Sequence, residues 1–135
     1  MNVIVNDQGF SPEDWTDGFV TLDDAANDVV AFDVSSDTDP DELIDRLGSA
    51  QMVRVDFPSS ADGRGFTIAR VLRLKGYTGR LRAKGHVLAD QYAMARRSGF
   101  DEVEIDHSLA ARQPEDQWLA RANWQENNYQ ARLRG

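Results

Sequence analysis

Four short runs of this chain alternate apolar and polar side chains. In Val29–Val34, Val30, Phe32 and Val34 oppose Asp33. In Met52–Phe57, Val53, Val55 and Phe57 oppose Arg54 and Asp56. In Leu81–Lys84, Leu81 and Ala83 oppose Arg82, Lys84 and the preceding Arg80. In Val103–Asp106, Val103 and Ile105 oppose Glu104, Asp106 and the preceding Glu102. Successive side chains of a strand point to opposite faces, so each run predicts a strand with one apolar and one charged face. Helical spacing fills the intervals. Leu43, Ile44 and Leu47 follow Asp39-Pro40, a capping side chain with proline at the first helical position, and Gly48 is a stop. Gly65 to about Lys75 carries Ile68, Val71 and Leu72 on one stripe; His86 to about Ser98 carries Leu88, Gln91, Tyr92 and Ala95, with Gly99 as its end. Pro114 to about Arg132 is the final helix, with Trp118 and Tyr129 facing the core.

These elements predict an α/β fold of four consecutive βα units with a mainly parallel sheet. Strands paired in sequence order through right-handed crossovers put every helix on the apolar face. The result is half-barrel-like, with a charged concave face. Residues 1–28 are read as an N-terminal β flap or hairpin, with short strands at Met1–Val5 and Phe19–Leu22 around a turn-rich stretch holding Gly9, Pro12 and Gly18. Residues 29–135 are the βα core of a single domain, 1–135. The C-terminal strand ends, where barrels place their chemistry, carry Asp33, Asp56, Lys84, Asp106 and His107. Three readings of the charged face stay open: a functional surface, a face covered by the flap through cross-strand ion pairs, and a face that closes a homodimer.

Composition narrows the function classes. A chain of 135 residues is one domain by length. It has no cysteine, which removes thiolate chemistry and cysteine-held metals or clusters. No apolar run approaches the ~20 residues of a membrane helix, and a cytoplasmic location is expected. The net charge of −8 is unevenly spread: −12 over residues 1–53, +7 over 54–97 and −3 over 98–135. Net acidity argues against nucleic acid as a partner. The basic middle fits a local field for a small anion.

The candidate chemistry centres on Asp62-Gly63-Arg64-Gly65, where a strand meets a helix. Glycines before a helix free backbone N–H groups for an anion, and Asp62 can cap the helix. Arg64 sits at the positive end of the helix dipole, a place that calls for an anion or a carboxylate. The turn is neither a P-loop nor a dinucleotide fingerprint, since Ile68 stands at the third glycine. The candidate ligand-binding residues are Asp62, Gly63, Arg64, Gly65, Arg82, Asp90 and Gln91. Gln91 interrupts an apolar stripe and needs hydrogen-bond partners. Arg70 and Arg73 fall opposite the stripe of their helix, on a solvated or partner-facing side. His86 and His107 stand in loops at the rim. Asp56, Glu104 and Asp106 would hold a divalent cation only if they converge; no metal motif is present, and catalytic residues and cofactors stay unassigned. Trp124, off the stripe of the last helix, is read as an interface residue.

The blocks Asp62–Arg70, Gly76-Tyr77-Thr78-Gly79, Leu81-Arg82-Ala83, Gly85, Val87-Leu88, Asp90-Gln91 and Gly99-Phe100-Asp101, with Tyr129-Gln130 near the end, resemble a bacterial domain-of-unknown-function family. Its members are described as oxidoreductases involved in sulfite reduction. The resemblance runs over Asp62 to about Glu104. It departs at His86, where the family commonly has an acidic residue, and at Ser98, where it commonly has cysteine. It implies association with sulfate assimilation and supplies no established reaction or cofactor. Two functions are expected on this basis. One is an accessory or anion-binding protein, with sulfite, sulfate or a phosphorylated nucleotide near Arg64 and Arg82 and with sulfite reductase or another sulfate-assimilation protein as partner. The alternative is a small enzyme using Asp56, Arg82, Lys84 and Glu104 on the charged face for acid/base or metal-assisted chemistry.

Overall fold

The computed structural model describes residues 2–23 and 29–125. Seven strands form one sheet: β1 (Val3–Asn6), β2 (Gly9–Ser11), β3 (Val20–Thr21), β4 (Ala31–Val34), β5 (Met52–Phe57), β6 (Arg80–Gly85) and β7 (Glu102–Ile105). The helices are α1 (Pro40–Arg46), α2 (Arg64–Leu74), α3 (Tyr92–Ser98), α4 (His107–Arg112) and α5 (Glu115–Leu119). The sheet order is β2-β1-β7-β6-β5-β4-β3. β3 to β7 are parallel, and β1 and β2 add antiparallel at the β7 edge. The mixed α/β architecture of alternating β and α units follows from the two periodicities of the sequence.

Alternation decides which face is buried against helices. Phe32, Val53, Val55, Phe57, Leu81, Ala83, Val103 and Ile105 join Leu43, Phe66, Ile68, Leu72, Tyr92 and Trp118 in one core. Burying such a side chain stabilises the fold by roughly 1.5–3 kcal/mol. α1 touches α2, and α2 touches α3, so these three helices form one layer on that face. The opposite face carries Asp33, Arg54, Asp56, Arg80, Arg82, Lys84, Glu102 and Glu104, in register across neighbouring strands.

The N-terminal strands do not pair with each other as a hairpin of Met1–Val5 and Phe19–Leu22. β1 turns back onto β2, and β3 lies at the far edge of the sheet beside β4. Residues 12–19 therefore cross the whole charged face. Six inter-strand gaps separate β2 from β3, about 29 Å on a flat sheet. The nine steps from Ser11 to Val20 reach at most about 30–32 Å, and the segment also bends at Asp17. The strap lies on the charged face, where Glu13 meets Arg82 and Asp14 meets Arg80.

Two helices also differ from expectation. The third begins at Tyr92, after a 3-10 turn at Ala89–Gln91, because Leu88 is extended. The expected final helix is two short ones, followed by turns at 120–125. Asp106 caps α4 by accepting from the Leu109 N–H, and Pro114 holds Gln113 outside the helical region. Residues 126–132 of that expected helix, Tyr129-Gln130 included, lie outside the described residues. Among the described residues no helix is long and apolar enough to cross a membrane.

Candidate functional site

The Asp62–Gly65 turn follows β5 at the C-terminal rim of the sheet. Gly65 is required there, since a Cβ would stand 2.5 Å from the Phe57 ring. Asp62 does not cap α2; Gly63 holds the cap position. Instead Asp62 accepts from the Arg64 N–H (3.1 Å), Arg64 Nε (3.0 Å), Arg64 Nη2 (2.8 Å) and the Ser36 hydroxyl (2.8 Å). The Arg64 side chain, its N–H and Ser36 together hold the Asp62 carboxyl far below the usual carboxylate range. The carboxylate that Arg64 calls for is thus two residues away in its own turn. Gln91 finds structural partners: its Oε1 accepts from the Leu88 N–H (2.9 Å), and its Nε2 donates to the Ser60 carbonyl (2.8 Å). Asp90 is exposed and pairs with Arg121 at 2.9 Å.

Arg82 is not beside Arg64. Strand parity puts it on the charged face, away from the layer that contains α2, and its side chain is 0% exposed. Its Nε donates to Glu102 (2.5 Å), and its Nη1 donates to Glu104 (2.9 Å) and to Glu13 of the strap (2.5 Å). Arg54, one strand over, donates to both Asp33 oxygens and to Glu104 (3.1 Å), with its guanidinium 3.8 Å from the Phe19 ring centroid. Arg80 donates to Glu102 and to Asp14 (2.7 Å). Burial works to raise the Glu104 carboxyl, yet hydrogen bonds from Asn2, Arg82 and Arg54 and the Arg54 charge bring it below 4.5 overall. Only Arg82 Nη2 lacks a hydrogen-bond partner among the buried side-chain atoms of the described residues, at a cost of roughly 1–3 kcal/mol. The strap covers this face and makes ion pairs with it.

Where β6 and β7 end, the balance reverses. A pocket of about 140 Å³ is lined by Asn2, Lys84, Gly85, His86, Glu104, Asp106, Leu109 and Arg112. Gly85 makes the turn with φ +114°, and a Cβ there would stand 2.6 Å from the Phe57 carbonyl oxygen; the next N–H, of His86, donates to that same carbonyl. Both carboxylates of the pocket are engaged. Glu104 accepts from Arg54, Arg82 and Asn2. Asp106 accepts from the Leu109 N–H and the Ser108 hydroxyl, which hold its carboxyl below the usual range. Among the described residues, Lys84, His86 and Arg112 form no salt bridge with a carboxylate. Three cationic or protonatable groups therefore surround a small hollow at the end of the strands.

The volume limits what can enter. Pockets for cofactors and drug-sized ligands run to about 300–1,000 Å³; this one, at about 140 Å³, is smaller than that. A larger hollow, about 630 Å³, opens at the other end of the sheet between Ile44–Gln51 and Leu72–Gly79, where Lys75 is its one charged side chain. Asp56, Glu104 and Asp106 do not converge: among the described residues no group of three or more acidic or histidine side chains is placed to hold a metal ion. Of the pocket, Arg112 and Asn2 carried no signal in the sequence, because α4 was not foreseen; Lys84 and His86 were visible as rim residues.

Two other residues take structural places. Arg73 is half-buried and donates to the carbonyls of Tyr77, Gly79 and Gly99 and to Asp101, tying α2 to the loops before β6 and β7. It is not a solvated or partner-facing arginine. Trp124 packs on its own chain: Arg96 lies over its ring at 4.7 Å, and its Nε1 donates to Asp7.

No curated protein and no solved structure matches the chain. A family model does match, over residues 31–135, from the first core strand through the pocket and beyond. The chain belongs to the family described as "Bacterial protein of unknown function (DUF934)".

Proposed function

We propose that this chain is a small-oxyanion-binding accessory protein of sulfate assimilation and sulfite reduction. The observation that carries the reading is the rim pocket of about 140 Å³ lined by Lys84, His86 and Arg112. There Glu104 is held by Arg54, Arg82 and Asn2, and Asp106 accepts from the Leu109 N–H and the Ser108 hydroxyl while also feeling the Arg112 and His86 charges. Sulfite and sulfate are anions of the size and charge this space accepts; a nucleotide is too large. The sulfur chemistry comes from the resemblance of the Asp62–Glu104 segment. In this reading the redox step belongs to the partner, sulfite reductase or another protein of the pathway, and this chain binds the anion or presents it. The rival, an enzyme working on the charged face, has less support, since two of its four groups, Arg82 and Glu104, are engaged in ion pairs under the strap.

A thermal-shift series with sulfite, sulfate and phosphate, and chloride as the ionic-strength control, tests it. A ligand at tenfold excess over its Kd adds about 1.4 kcal/mol, or roughly 3–5 °C for a domain of this size. Sulfite or sulfate is expected to give this shift, and Lys84→Ala to abolish it. An equal shift in wild type and Lys84→Ala, or none beyond that of chloride, contradicts the proposal.

A further inference from the structure

The charged face bears three arginines in a patch: Arg54 of β5, its register neighbour Arg82 of β6, and Arg80 two residues before Arg82. One segment covers them, and it touches them as a ligand would. Glu13 meets Arg82, Asp14 meets Arg80, and Phe19 stacks on Arg54. Among the described residues, no backbone hydrogen bond joins residues 12–19 to the sheet. Six of these eight residues are exposed. The far end is fastened by β3, an edge strand of two residues.

Two features set this contact apart from ordinary closure of a fold. A strap that only covers a sheet is held at least as well by apolar side chains as by buried charge. The strap also fits incompletely: Arg82 is fully buried, and its Nη2 has no hydrogen bond, with Asp14 Oδ1 at 3.6 Å. A second carboxylate set slightly differently would satisfy it.

We propose that the Arg54–Arg82–Arg80 patch is a docking site for an extended acidic segment of a partner protein, and that the chain's own Glu13-Asp14 strap occupies it in the resting molecule. The ligand class is a peptide with two adjacent carboxylates and an aromatic residue a few positions later, the chemistry that the strap itself supplies. The tethered strap competes at high effective concentration, so a partner gains the site by peeling β3 and matching these contacts. This site adjoins the rim pocket through Glu104, which Arg54 and Arg82 hold, and takes a different ligand.

The test uses the full chain with Glu13→Gln and Asp14→Asn, titrated with a fluorescent peptide of the sequence Ser11–Phe19. The double variant is expected to bind the peptide at least about tenfold more tightly than wild type, since the tethered competitor is weakened. Binding should weaken as salt is raised, and a peptide with Gln and Asn in place of the Glu-Asp pair should not bind. A folded double variant that binds no better than wild type, or binds both peptides alike, overturns the proposal. Should the double variant not fold, hydrogen exchange of wild type decides. Excess acidic peptide should speed exchange at Val20 and Thr21, which pair with β4, and leave β5 and β6 protected, and unchanged exchange at β3 overturns it.

Discussion

Two turns on the same rim carry a glycine and a basic residue, and they have opposite fates. At Asp62–Gly65, Arg64 is 61% exposed, yet its guanidinium is engaged by Asp62, two residues back. At Lys84–His86, the nearby carboxylates Glu104 and Asp106 are held by arginines across the sheet and by a helix start. Asp62–Gly65 has the sequence form of an anion site and is neutralised in place. Lys84–His86 carries no such motif, and among the described residues neither side chain forms a salt bridge. What leaves Lys84 without a salt bridge here is the pairing of Glu104, its neighbour on the next strand, with arginines across the sheet, not the local motif.

The sharpest way to break this contrast is to free Glu104. Arg82→Met removes one of its two arginines and one partner of Glu102. Truncating one side of a buried ion pair costs about 3–5 kcal/mol, read as a lower midpoint in urea. Lys84 lies beside Glu104 in register, so the freed carboxylate should also reduce sulfite-dependent stabilisation. A variant with wild-type stability would show that the network does not hold the charged face.

Acid offers a smaller, graded version. Burial works to raise Glu13 and Glu104, but hydrogen bonds and arginine charge lower both below 4.5; Asp14 is lowered chiefly by its Arg80 hydrogen bond. A carboxyl with a depressed folded value binds its proton less readily when folded than when unfolded. Its stabilisation is complete above the unfolded value and is lost as pH falls through the folded one. Stability should therefore decline as pH drops below 4.5, with Trp15 fluorescence reporting the strap, and Glu13→Gln should flatten part of the decline. A urea midpoint constant through this range contradicts the pairing of strap and sheet.

The βα order, the two-faced strands and the stops at Gly48 and Gly99 were legible because each rests on local periodicity or backbone preference. The charged face was legible for the same reason. The strap was not, since residues 12–19 have no periodicity, and their path is fixed only by β2 and β3 sitting at opposite sheet edges. α4 escaped notice because its cap, Asp106, closes a charged strand and reads as one more alternating residue. Without α4, Arg112 could not be placed beside Lys84. The partner of Arg64 was in plain view as Asp62, and only side-chain geometry distinguishes that pairing from a ligand contact.

The smallest expected effect is that of Arg64→Ala. It should leave sulfite-dependent stabilisation unchanged, since Asp62 and Ser36 keep their mutual hydrogen bond and the pocket does not include Arg64. Loss of that stabilisation would move the site to the signature turn.

The central claim is that the anion sits at Lys84–His86 and not at Gly63–Gly65. Titrating sulfite into uniformly ¹⁵N-labelled protein reads both turns in one spectrum. The amides of Gly85, His86 and Val87 should shift in a saturable way while those of Gly63, Arg64 and Gly65 stay still. Saturable shifts at Gly63–Gly65 with none at Gly85–Val87 would contradict the account.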